Sequence, residues 1–177
     1  MVLNEMEKLF NIYHYCIFIL LNKLHLFVNK IDIVLLFFKI PYFKEKLKKK
    51  NLDLVKIDEE LWMNKENGLN IWGADAVFGF SFLVVLLSLF LIFTKNQNVD
   101  NMLWPFAGAF IIISVLAALR YGSNNGKYLD YYNEFEHWSS RERKKFLSLS
   151  MLFILGIMVL FFASLYFHFS SGIFQTL

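Results

Sequence analysis

The chain has 177 residues, 57% of them hydrophobic, and a formal charge of +3. A soluble domain is ordinarily about 45–50% apolar, so the excess points to membrane segments, while a charge this small, carried beside apolar runs, argues against a nucleic-acid partner. The single cysteine, Cys16, excludes an intrachain disulfide.

Usage is rich in Phe, Ile, Lys and Asn, as an AT-rich genome also produces, with 21 Phe and only 2 Pro. The length and flanks of each apolar run therefore carry more weight than the mean hydropathy of +0.46. The first eight residues hold Glu5, Glu7 and Lys8, and no small-residue cleavage site follows, so no cleavable signal peptide is expected.

Residues 1–43 are predicted to form an amphipathic, membrane-associated helix that Pro41 ends or bends. At about 100° per residue, Asn11, His14, Asn22, His25, Asn29 and Asp32 fall within about 80° of one another. This is a narrow polar stripe on an apolar helix. In one reading the helix lies in the membrane interface and turns the stripe to water. In the other it is a fourth span with the stripe facing the bundle interior. Lys23, Lys30 and Asp32 interrupt every long apolar window past residue 23, which favours the first. Cys16, inside this apolar stretch, reads as a small buried hydrophobe.

Residues 44–73 form a charged segment. Lys44, Lys46, Lys48, Lys49 and Lys50 make a basic run suited to anionic headgroups, and Asp53, Asp58, Glu59 and Glu60 follow it. Asn67-Gly68 and Trp72-Gly73 read as turns. A membrane domain is expected over residues 74–177, with spans at 76–93, 102–119 and 147–168. Pro105 falls in the first turn of its span, where the missing N–H does no harm. Gly79, Gly108 and Gly156 are expected to permit close helix contact, and the span serines to pack between helices.

Between the second and third spans, residues 121–145 are expected to form a cytosol-side helical loop. Tyr128, Tyr131, Tyr132, Phe135 and Trp138 recur at helical spacing and make an aromatic face. That face suits either a docked protein partner or the headgroup layer. Arg141, Arg143, Lys144 and Lys145 read as headgroup contacts, and Ser139 with Glu142 as a capping box opening the third span. Glu134 and His137 have the Glu-x-x-His spacing of carboxylate metal sites, but the spans hold no acidic partner ligands, so no metal and no cofactor is expected.

Lys and Arg number eleven before the first span, then one, six and none in the three later flanks. The positive-inside rule then puts the N-terminus inside and the C-terminus outside. A bacterial inner membrane is the first expectation and a mitochondrial inner membrane the second. Catalytic motifs such as His-Glu-x-x-His or Gly-x-Ser-x-Gly do not occur. The fold class expected is thus all-α and polytopic. The function expected is a non-enzymatic membrane subunit or accessory protein that docks a partner or forms a homo-oligomer on anionic membranes. The alternative is an oligomeric pore-like effector in bacterial defence, its lumen lined by the polar stripe.

Overall fold

A computed structural model of the chain describes residues 2–31, 54–94, 100–122 and 126–173. Asp32 and the run Lys44, Lys46, Lys48, Lys49 and Lys50 lie outside these residues. All regular elements among them are helices: α1 (Val2–Ile31), α2 (Leu54–Met63), α3 (Leu69–Phe93), α4 (Asp100–Tyr121), α5 (Lys127–Glu136) and α6 (Ser140–Ile173). Three of them, α3, α4 and α6, are long and apolar enough to cross a membrane.

The central helix is α3, against which α4, α6, α1 and α2 all pack. On α6 the residues turned inward are Leu147, Ser150, Ile154, Ile157, Phe161, Ser164 and His168. Their alternating spacing of three and four keeps one stripe of α6 against its neighbours. Ser81, Ser88, Ser114 and Ser164 on these seams are buried and bond their own helices, as Ser88 does to the Val84 carbonyl (2.7 Å) and Ser114 to that of Phe110 (2.7 Å). A hydroxyl satisfied this way adds little bulk, so the backbones can approach. Gly79 does the same between α3 and α4, where a Cβ would lie 3.3 Å from the Ala118 Cβ. At Gly108 and Gly156 a Cβ would meet nothing within 4 Å among the described residues.

The buried apolar cluster gathers where α1 and α5 meet the N-terminal part of α3. Ile12, Tyr15, Cys16, Ile17 and Phe18 of α1 meet Ile71, Ala74 and Phe78 of α3 and Tyr128, Tyr132 and Phe135 of α5. Together α1, α2, α5 and the N-terminal ends of α3 and α6 make a cap on one end of the long helices. By contrast α4 touches the rest along a single seam, and Trp104, Ile112 and Leu116 stand exposed on it.

Two boundaries depart from the sequence reading. Helix α3 begins at Leu69, seven residues before the apolar run, so Trp72-Gly73 is helical and not a turn. Gly73 is there for close approach, since a Cβ on it would meet the Leu21 side chain of α1 at 3.0 Å. The turn is confined to residues 64–68. There the Asn64 side-chain oxygen accepts from the backbone N–H groups of Glu66 (2.7 Å) and Asn67 (3.2 Å). A Cβ on Gly68 would lie 2.4 Å from the Asn64 carbonyl oxygen, which leaves room for glycine alone. The second departure is α2, a helix within the segment read only as charged. Its signal was Leu54, Ile57, Leu61 and Trp62, spaced as one helical face. The capping box forms as expected: Ser139 Oγ accepts from the Glu142 N–H (3.3 Å), and Glu142 accepts from the Ser139 N–H (2.9 Å).

Candidate functional site

The polar stripe of α1 does not meet water. Asn11, His14 and Asn22 are buried, and the His25 side chain is nearly so. This overturns the water-facing reading of the stripe and agrees with the other, in which it faces the bundle interior. A polar stripe and an apolar one share the same period, so periodicity tells which residues share a face but not what that face meets.

Each rung of the stripe is answered from a different element. His14, fully buried, places Nε2 2.8 Å from Asp75 Oδ1 of α3 and Nδ1 2.8 Å from the Tyr132 hydroxyl of α5. A carboxylate only accepts, so the proton sits on Nε2, and the Nδ1 lone pair receives the Tyr132 hydroxyl. Burial, and then the Asp75 charge, push the Tyr132 pKa well above the ordinary tyrosine value, which keeps it a donor. Asn70 of α3 donates to the Asn22 side-chain oxygen (2.8 Å). Farther along, His25 and Asn29 both point at Asp58 Oδ2 of α2, at 2.9 and 2.7 Å. The His25 ring also stacks on Trp62, with centroids 4.8 Å apart. Asn11 is the exception: its amide donates to the Glu7 carbonyl of its own helix (2.8 Å), and its buried Oδ1 has no partner.

The two histidines therefore belong to separate clusters and do not form one continuous path. Among the described residues no three His, Cys, Asp or Glu side chains converge as metal ligands would. Glu134 is engaged by Lys8 (2.6 Å), and His137 Nδ1 donates to the Asn133 carbonyl (2.7 Å).

The aromatic face gathers as its spacing implied, but inward. Tyr132 and Phe135 are fully buried, Tyr128 nearly so, and Tyr131 and Trp138 are half-buried. Tyr15 of α1 is the centre of the cluster, 4.8 Å from the Tyr132 ring and 5.5 Å from the Phe135 ring, edge-on and tilted. Trp138 stacks on Phe146 of α6 at 4.5 Å. What docks on this face is α1 of the same chain, so Tyr128, Tyr132 and Phe135 are not surface residues for a second protein. Of the basic strip, Arg143 turns in to donate to the Glu136 carbonyl at the end of α5 (3.1 Å), whereas Arg141, Lys144 and Lys145 are exposed.

Sequence reasoning missed the answering groups, Asp58, Asn70 and Asp75. Asp75 was visible as an acid adjoining an otherwise uncharged run, and a buried histidine stripe calls for such acceptors. Comparison with protein-family models, with curated proteins and with solved structures finds no match.

Proposed function

We propose that this chain is a non-enzymatic integral membrane protein that binds a protein partner through its helical cap, on the cytosolic side of the bilayer. One observation carries the reading. The cap is held rigid by a buried polar ladder, yet its outer helices still expose large apolar side chains: Leu24, Phe27 and Val28 on α1, Ile57 and Leu61 on α2. Each set recurs at three- or four-residue spacing, so each helix has an outward apolar face in addition to its inward one. Exposed apolar faces rimmed by charge are characteristic of interaction sites. The docking surface proposed is therefore the back of α1 and α2, in place of the aromatic face of α5.

The pore-like alternative loses its support. It rested on polar groups free to line a lumen, and His14, Asn22, His25 and Asn29 are bonded within one chain.

The test is a photo-crosslinking amino acid at Phe27 or Leu61, activated in intact cells. A discrete protein adduct at both, and none from a control at Leu116 on the exposed face of α4, is the expected outcome. Lipid adducts alone at Phe27 and Leu61 would remove the docking proposal.

A further inference from the structure

One apolar groove lies on the opposite flank of α1 from the polar ladder. It runs between α1, α3 and α6, is lined by Leu9, Tyr13, Phe82, Val85, Leu149 and Phe153 among others, and encloses about 670 Å³. Its three hydroxyls are already engaged: Tyr13 donates to Ser81 Oγ (2.8 Å), which donates to the Val77 carbonyl (2.8 Å), and Ser150 is hydrogen-bonded with the Cys16 thiol. An occupant therefore meets hydrocarbon and finds no free polar group.

The groove is elongated. Its wall on α6 runs from Phe146 to Ile157, a length of about 16 Å at helical rise, which suits an extended hydrocarbon chain lying along it.

The mouth is basic. Arg141, Lys145 and Leu149 follow one another at four-residue intervals, so exposed cations lead directly onto the groove wall. The Lys145 ammonium lies 5.9 Å from the ring centroid of Phe146, itself a lining residue. Glu142, the one carboxylate in this strip, is occupied as the cap of α6.

We infer that the groove holds one acyl chain of an anionic phospholipid, with the phosphate held by Arg141 and Lys145. The inference rests on the proposed membrane integration but not on any protein partner.

The experiment is native mass spectrometry of the detergent-purified protein, offered phosphatidylglycerol and phosphatidylcholine of identical chains. The wild type should retain phosphatidylglycerol with roughly thirtyfold preference, the selectivity two basic groups at a membrane surface provide. Replacing both cations (Arg141→Gln with Lys145→Gln) should bring the preference close to one while a lipid stays bound. Val85→Phe, which fills the groove from α3, should lose lipid of either headgroup, with circular dichroism confirming an intact fold. Equal retention of the two lipids by the wild type overturns the inference, as does a preference that survives the double substitution. A lipid-free dimer would do so too, assigning the groove to a second copy. Extraction of the protein from membranes by alkaline carbonate would instead refute membrane integration itself, which separates the two failures.

Discussion

Tyr132 bears on both packing and polarity, and Tyr132→Phe separates them. The ring contacts with Tyr15 and Phe18 survive, while His14 Nδ1 loses its only donor. Leaving one buried acceptor unsatisfied costs about 1–3 kcal/mol, so thermal unfolding in detergent should show a lower midpoint, and an unchanged one would mean that water replaces the hydroxyl. The same substitution has a pH signature. The folded pKa of Tyr132 is raised above its unfolded value by burial, so its contribution is full below about pH 10 and declines as pH rises beyond that. Wild-type stability should fall above pH 10 more steeply than that of Tyr132→Phe. Beside this cluster, a Cβ on Gly122 would lie 2.1 Å from Asp75 Oδ1 and 2.4 Å from the Ala118 carbonyl oxygen. Gly122→Ala therefore forces the end of α4 off Asp75 and should destabilise by an amount comparable to a core overpacking, about 1–3 kcal/mol. At this scale the sequence identified His14, Asn22, His25 and Asn29 as one face. It was silent on Asp75, Asn70 and Asp58, because partners 29 to 61 residues away follow from packing and leave no local periodic trace.

Among the elements, the long apolar helices were the most legible, since an uncharged run and its charged ends locate a span without reference to anything else. The start of α3 was not legible. Asn70 and Asp75 look like turn and flank residues, and only the cover of α1 and α2 lets the helix continue through them. Glycines illustrate the same limit. All three span glycines suggested contacts, yet among the described residues only Gly79 makes one. A leucine at Gly79 should push α4 off α3 and cost about 1–3 kcal/mol. Leucine at Gly108 or Gly156, where nothing lies within 4 Å, should leave the unfolding midpoint within the scatter of surface substitutions. Equal losses at all three positions would mean that α4 and α6 contact a further chain through Gly108 and Gly156.

Across the whole molecule, the cap and the charge distribution agree. The N-terminal ends of α3 and α6 and the C-terminal end of α4 lie together under α1, α2 and α5, and these flanks carry all but one of the 18 Lys and Arg residues. The cap adds cohesion to this end through the exposed Lys8–Glu134 pair and the partly exposed Lys127–Glu7 pair, which are individually weak. Most of its stability must come instead from the apolar core around Tyr15 and from the buried rungs. Among the described residues α1 is not one of the helices long and apolar enough to cross a membrane, and it carries Glu5, Glu7, Lys8 and Lys23. Moving these charges across the bilayer would be costly in desolvation, and the orientation proposed from the positive-inside count avoids it. A single cysteine at Glu66 or at Ser170, in a Cys16→Ser background, tests it in intact cells with a membrane-impermeant maleimide. Position 66, in the exposed turn before α3, should label only after lysis, and position 170, beyond the apolar part of α6, should label before it. The reverse pattern would place the cap outside, and with it the basic mouth of the groove, away from the anionic lipids of the inner leaflet.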